Sequence, residues 1–281
     1  MEDNNIRGVL ARSGFAFKKQ FGQNFITDGA LLEKIVGLSG ADKTCHVVEI
    51  GCGAGTLTRA LSEKAAFVHG YEIDKSLQPV LAQTLSGCEN VEIIFKDFLK
   101  LRLDVIEEGL PSYRVVANLP YYITTPLIMM LLEHSKKCLS LTVMVQREVA
   151  ERLCALPNTP DYGAITANIS LYATAKKVLE VGRENFYPVP NVDSAVVRMD
   201  IERGRLGEVD EKLYKKVVQA AFGSRRKTLE NNLVKGFSLS REEAKGVLSE
   251  CGVKEGARGE TLSPEQFVNL SKKLAEVLPK S

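Results

Sequence analysis

Four consecutive residues, Asn118-Leu119-Pro120-Tyr121, carry groups that could act on the exocyclic amine of a nucleobase. Such an amine is a poor nucleophile because its lone pair is delocalised into the ring. A site that accepts its two hydrogens frees that lone pair to turn toward an electrophile. The Asn118 side-chain oxygen and the Leu119 carbonyl suit that task, and Pro120 fixes the turn that presents them. Tyr121 offers a flat face on which an extruded base can stack. The bland alternative is a proline turn before a helix.

The electrophile would be held upstream. Glu49-Ile-Gly51-Cys-Gly53-Ala-Gly55 places glycines where a backbone must turn sharply and let a ligand approach. A dinucleotide fingerprint would need glycine at the position of Thr56; here the third glycine comes two residues after the second. That spacing disfavours a nicotinamide dehydrogenase and points to S-adenosyl-L-methionine, which has no pyrophosphate to cradle. Glu72, about 20 residues beyond the loop, stands where an acid can accept hydrogen bonds from ribose hydroxyls. Asp97 could accept from the adenine amine of the cofactor, with Phe98 lining its ring. Methylation at pyrimidine C5 would require a cysteine nucleophile, often after proline, and the chain has no Pro-Cys pair. Alignment and charge stabilisation then carry the reaction, because sulfonium is a good leaving group.

These segments need a frame that brings them to one edge. From residue 44 to about 146, strand-like runs alternate with helical patterns, as in a parallel sheet covered by helices. Expected strands are Cys45 to Ile50, Phe67 to Ile73, Val91 to Phe95, Arg114 to Ala117 and Leu139 to Gln146; expected helices are Thr56 to Lys64, Lys75 to Leu85 and Thr125 to His134. Thr125-Pro126 reads as a cap followed by proline at the first helical position. Leu31 to Leu38 forms an apolar helical face capped by Thr27 or Asp28. Lys177 to Val181 and Ser194 to Ile201 look like strands that close the sheet as an antiparallel hairpin. Beyond them helices are expected at Glu211 to Phe222, Lys227 to Phe237, Arg241 to Cys251 and Pro264 to Leu278, with capping boxes at Ser240/Glu243 and Ser263/Gln266. The fold class is therefore α/β: a Rossmann-like methyltransferase sheet over residues 1–204, followed by a small all-helical domain over 205–281.

Composition narrows the function classes. At 44% hydrophobic and 26% charged residues, the chain has the material for a core and is not a disordered tail. Its longest apolar run, Leu127 to Leu132, is far short of a membrane span, and the N-terminus has neither a basic leader nor an apolar stretch. A cytoplasmic monomer is expected. The six cysteines form no Cys-x-x-Cys pair and do not group with His46, His69 or His134, so no metal site is expected. Net charge is only +2, so a polyanion would have to be held by a local patch. Residues 203–235 supply one, with nine basic side chains against four acids, among them Arg225, Arg226 and Lys227. Arg7, Arg12, Lys18 and Lys19 could form a second. Basic helices also occur as plain solvated surface.

Taken together, several segments resemble the ribosomal RNA adenine dimethyltransferases, most closely the bacterial kasugamycin-sensitivity type. They are Phe21-Gly-Gln-Asn24-Phe25-Ile26, the glycine loop, Glu72-x-Asp74, Lys96-Asp97, Asn118-Leu-Pro-Tyr121, Gln146-Arg-Glu-Val-Ala-Glu-Arg-Leu153, Phe186-x-Pro188-x-Pro190-x-Val192-x-Ser194 and Ala221-Phe222-x-x-Arg225-Arg226-Lys227-Thr228-Leu229. The resemblance runs from about residue 17 to the C-terminus. It implies dimethylation of the amines of two adjacent adenosines, in a hairpin near the 3′ end of small-subunit ribosomal RNA, within a pre-ribosomal particle. Cofactor contacts carried over by motif are Asn24, Ile26, Gly51, Gly53, Glu72, Asp97 and Asn118, and Phe186 would face Tyr121 across the target base. Ile26 stands where the family usually has leucine, and Asn191 where it commonly has lysine. The rival readings are a large-subunit RNA adenine methylase conferring antibiotic resistance, and a ribosome-assembly or RNA-binding factor with vestigial chemistry.

Overall fold

The computed structural model describes residues 6–18, 21–120 and 123–279. Tyr121 and Lys19 lie outside them. The chain divides into two compact units, one made of residues 1–150 and 175–201, the other of 151–174 and 202–281.

The first unit is built on a sheet whose strands follow the runs read from the sequence. After a short strand β1 (Phe25–Ile26) come β2 (His46–Ile50), β3 (Phe67–Glu72), β4 (Val91–Phe95), β5 (Tyr113–Asn118), β6 (Cys138–Gln146), β7 (Ala173–Val181), the short β8 (Phe186–Tyr187) and β9 (Ser194–Ile201). The main sheet has the order β4-β3-β2-β5-β6-β9-β7. Its β2 to β6 portion is parallel, with Glu49 beside Gly70 on one side and Val116 on the other. β9 runs antiparallel to β6, pairing Gln146 with Ser194. Strand order reverses direction at β2, since β3 lies on one side of it and β5 on the other, and such a switch opens a crevice at the carboxyl ends of the strands.

Buried strands need two covered faces. One is packed by the helices Gly29–Ser39 and Thr56–Lys64, which set Leu32, Ile35, Leu57 and Leu61 against Val47, Val68 and Val116. Asp28 caps the first of these, accepting from the Ala30 and Leu31 amides. A second cluster joins Cys52 and Ala54 of the glycine loop to Leu77, Val80 and Leu81, and to Ile6, Val9 and Leu10 of an unanticipated N-terminal helix, Ile6–Arg12. Seven residues carry too short an apolar period to stand out in the sequence.

Two local readings are corrected. The helix at 124–134 starts at Thr124 with Ile123 as its cap, so Thr125 is no cap and Pro126 sits third in the helix. Proline is tolerated there because the first amides of a helix have no intrahelical partner. The segment read as one helix from Lys75 to Leu85 is a short 3-10 turn, Lys75–Leu77, leading into Gln78–Thr84.

The second unit is helical, but it does not start at 205. It also takes in residues 151–174, including a helix at Ala164–Tyr172 that the sequence reading passed over. The remaining helices are Glu211–Ala221, Leu229–Phe237, Arg241–Glu250 and Pro264–Val277. Both capping boxes form, at Ser240/Glu243 and at Ser263/Gln266. Tyr214 is buried and donates its hydroxyl to the Ala167 carbonyl at 2.8 Å, tying the 164–172 helix to this core.

Candidate active site

At the switch point a cavity of about 180 Å³ is bounded by the glycine loop, the ends of β3 and β5, Asp97, the segment Phe21–Ile26 and Phe186. All of these belong to the first unit. The cofactor residues expected from the sequence therefore meet in one place, and so do Asn118, Leu119 and Pro120.

Gly51, Gly53 and Gly55 all take positive φ (79°, 53° and 81°), a conformation that side chains resist. They serve different ends. A Cβ on Gly53 would stand 2.7 Å from a Phe25 ring carbon, whereas one on Gly51 would meet nothing closer than the Asn118 carbonyl oxygen and Pro120 Cδ at 3.8 Å. Gly53 is thus demanded by packing, and Gly51 keeps the cavity open.

Two carboxylates lie beneath this loop. Glu72 is buried and accepts from the Gly53 amide through Oε2 and from the Asp74 amide through Oε1, both at 2.8 Å. Burial raises its pKa, and those two amides pull the other way. Each oxygen still has acceptor capacity, since a carboxylate offers about four lone-pair positions. Glu49, in β2, is only 1% exposed and its Oε2 has no hydrogen-bond partner. Burial pushes its carboxyl up to about 8, with the Glu72 charge adding to the rise.

Asn118 ends β5 half-buried and donates its amide nitrogen to the Asn24 backbone carbonyl at 2.9 Å. Its oxygen is left as the acceptor. Asn24 turns its own side chain back to the Gly22 carbonyl at 3.1 Å, so it meets Asn118 through its backbone. Leu119 is buried and its amide donates to the Met144 carbonyl, while the Pro120 carbonyl accepts from the Ile123 amide. Asp97 caps the short 3-10 turn Phe98–Lys100, accepting from the Leu99 amide, with the Lys100 ammonium 3.4 Å away.

Ile26 and Phe186 pair across a two-residue antiparallel ladder of β1 and β8. Phe186 is 1% exposed and belongs to the same apolar cluster as Ile26 and Val196, so it forms a wall of the cavity rather than a projecting platform. The facing arrangement with Tyr121 involves a residue outside those described.

The sequence reading missed a polar hub beside the cavity. Lys18 Nζ donates to Asp74 Oδ1 at 2.6 Å and Gln23 Nε2 to Asp74 Oδ2 at 2.8 Å. The Lys18 side chain, 40% exposed, is thus ion-paired to the buried Asp74, and Arg7 lies over the Tyr187 ring at 4.8 Å. The signal available in the sequence was Asp74 itself, in the Glu72-x-Asp74 motif.

In the helical unit Arg225, Arg226 and Lys227 occupy an exposed turn before the helix Leu229–Phe237. Arg225 donates through Nη2 to the carbonyls of Pro160 and Tyr162, at 3.1 and 3.0 Å. Part of its guanidinium is thus spent on the unit's own backbone.

A parallel sheet with this switch, a glycine loop above a buried acid and an Asn-Leu-Pro turn at the end of the neighbouring strand define a Rossmann-like methyltransferase with a helical C-terminal region. The chain belongs to the family described as "Ribosomal RNA adenine dimethylase", whose pattern matches residues 14–276, and it is an enzyme of that class, an rRNA adenine dimethyltransferase. It is 46% identical over 275 residues to the "Ribosomal RNA small subunit methyltransferase A" of Streptococcus sanguinis, covering 94% of each chain. The protein of the same name from Clostridium acetobutylicum is 42% identical over 272 residues, covering 96% of this chain and 98% of that one. Among solved structures, the 23S rRNA methyltransferase ErmE is 28% identical with a TM-score of 0.69, covering 89% of this chain and 99% of that one. A dimethyladenosine transferase from Plasmodium falciparum, at 24% identity and a TM-score of 0.75, covers 90% and 98% and shares the fold. No helix among the described residues is long and apolar enough to cross a membrane.

Proposed function

We propose that this chain uses S-adenosyl-L-methionine to dimethylate the exocyclic amines of two adjacent adenosines, in a hairpin near the 3′ end of small-subunit ribosomal RNA. The observation that carries the reading is the hydrogen bond from Asn118 to Asn24, because it engages the Asn118 amide nitrogen and leaves its oxygen to accept an amine hydrogen at the cavity that Asn118 lines. Near-complete coverage at 42% to 46% identity by proteins named for the small subunit favours that subunit over the large one.

The cavity residues suit the cofactor. Gly51 leaves space where a Cβ would intrude, Glu72 is a buried acceptor for ribose hydroxyls, and Asp97 with Phe98 suits an adenine. Asn24, Ile26, Gly53 and Asn118 complete its surroundings, Gly53 by holding Glu72 in place. The chemistry such a cofactor supplies when bound is a methyl group carried on sulfonium sulfur. The chain's part is to orient the amine: Asn118 Oδ1 and the Leu119 carbonyl accept its hydrogens, and these oriented dipoles stabilise the positive charge that develops on nitrogen. Pro120 holds the turn, Tyr121 supplies the stacking face, and Phe186 supplies an apolar wall.

Arg226 and Lys227, with what remains of Arg225, meet phosphates and position the RNA, while the folded shape of a pre-ribosomal particle supplies selection. The enzyme acts as a cytoplasmic monomer. Adding it with cofactor to unmethylated small and large subunits, then analysing digested RNA by mass spectrometry, tests the reading. Dimethyladenosine in small-subunit RNA alone is expected; methylation confined to the large subunit would overturn it.

A further inference from the structure

The segment that leads into β1 is held by very little regular structure. Its ladder with β8 spans only Phe25 and Ile26, yet Phe21 to Ile26 forms one whole side of the cavity. Asn118 holds the Asn24 carbonyl, and the part before it is tied to the fold by Asp74. This residue is 2% exposed, and its two oxygens divide the work. Oδ1 takes the Lys18 ammonium at 2.6 Å and the Ser76 hydroxyl at 2.6 Å, and Oδ2 takes the Gln23 side-chain amide at 2.8 Å. Lys18 and Gln23 are themselves joined, since the Lys18 backbone amide donates to Gln23 Oε1 at 2.9 Å. The Lys18 ammonium also lies 5.8 Å from the centre of the Phe21 ring.

These contacts are continuous with the site. Asp74 donates its amide to Glu72, which also holds Gly53; Gln23 precedes Asn24, whose carbonyl holds Asn118. The hydrogen bonds thus run around the cavity from the glycine loop through Glu72, Asp74 and Gln23 to Asn118.

We propose that Asp74 is a positioning residue that, through Lys18 and Gln23, latches the strap of residues 21–24 beside the cofactor cavity, so that breaking those two bonds frees this strap and loosens cofactor binding and the orientation of Asn118 together. The proposal rests on the cofactor reading given above. It follows from where the anchors lie: Asn118 and the packing of the Phe25 ring hold the end of the strap at Asn24 and Phe25, and Asp74 holds its start through Lys18 and Gln23. A charged acceptor with three side-chain donors is worth more than neutral hydrogen bonds of the same number, and a local opening costs only what the strap itself would lose. The surrounding sheet need not unfold for it to open.

The test uses the full chain with Lys18→Met and Gln23→Ala, singly and together, because Asp74→Ala would also remove the cap of the Lys75–Leu77 turn. Amide hydrogen exchange is followed by mass spectrometry without cofactor, and affinity for S-adenosylhomocysteine is measured by calorimetry. Expected is exchange over residues 21–26 that is faster by roughly tenfold or more in the double variant, unchanged exchange in β2 to β6, and affinity weaker by about tenfold. KM for S-adenosylmethionine should rise and kcat should fall together, because Asn118 is loosened along with the cofactor wall, and Lys18→Arg should restore much of the protection. Unchanged exchange over 21–26 in the double variant overturns the latch, and so does faster exchange with unaltered affinity. If the unsubstituted protein itself fails to bind S-adenosylhomocysteine while exchange responds as expected, the cofactor reading falls and the latch stands.

Discussion

Asn118 hands its side-chain amide to the backbone carbonyl of Asn24, 94 residues earlier in the chain, at 2.9 Å. One side chain therefore has two duties, one nitrogen securing the strap and one oxygen kept for substrate. Asn118→Ala should remove both, lowering the rate of each methyl transfer on the order of a hundredfold or more. Asn118→Asp keeps an acceptor but sets a carboxylate against the Asn24 carbonyl, so cofactor affinity should fall in this variant too. A mass-spectrometric time course of digested RNA, with calorimetry for the cofactor, separates the two. Wild-type rate and yield from Asn118→Ala would remove this turn from the catalytic centre.

The two glycines of the loop should fail differently. Gly53→Ala forces a methyl group to 2.7 Å from the Phe25 ring at a positive φ, so a stability loss of roughly 1–3 kcal/mol is expected in denaturant unfolding. Gly51→Ala carries the backbone penalty but meets nothing closer than ordinary contact at 3.8 Å, so its larger effect should be on cofactor affinity. Equal losses of stability from both would contradict the packing argument.

Glu49 gives the protein a pH dependence with a definite sign. Its folded-state pKa is about 8 against an ordinary 4.5, because burial disfavours the charge. Between those values the unfolded chain releases a proton that the folded chain keeps. Stability should therefore fall as pH rises across this window, at a limiting slope of roughly 1.4 kcal/mol per pH unit. Glu49→Gln has no such proton. The cofactor-free variant should gain on the unsubstituted protein progressively from pH 5 to pH 8 in thermal unfolding, and parallel curves would show that Glu49 does not titrate in this range.

Arg225 and its neighbours should separate by role. Arg225 is bound to the Pro160 and Tyr162 carbonyls, so Arg225→Ala should destabilise the helical unit as well as weaken RNA binding. Replacing Arg226 and Lys227 together should leave stability nearly unchanged and flatten the salt dependence of particle binding, by about one unit of slope per lost phosphate contact. An unaltered slope in that folded double variant would make the turn ordinary solvated surface.

What could be read directly from the sequence is what depends on neighbours in the chain. The glycine loop sits between β2 and the helix Thr56–Lys64 because a turn of that kind is encoded within a few residues, and the capping boxes Ser240/Glu243 and Ser263/Gln266 are encoded within four. Alternation of strands and helices implied the parallel sheet, and with it the meeting of Gly51, Glu72, Asp97 and Asn118 at the strand ends. The helix Ala164–Tyr172 escaped because none of its residues is exposed; with no polar face it has no period to detect. That segment joins the second unit, so the boundary near 205 omitted it. Tertiary structure alone decided the long-range partners: Ile26 with Phe186, Lys18 and Gln23 with Asp74, Arg225 with the Pro160 carbonyl. In the sequence Lys18 and Arg225 are two more cations, equally able to meet phosphate or solvent. Whether a cation is free or spent depends on which acceptor the folded backbone brings within about 3 Å, and that distance is a property of the fold, not of the spacing along the chain.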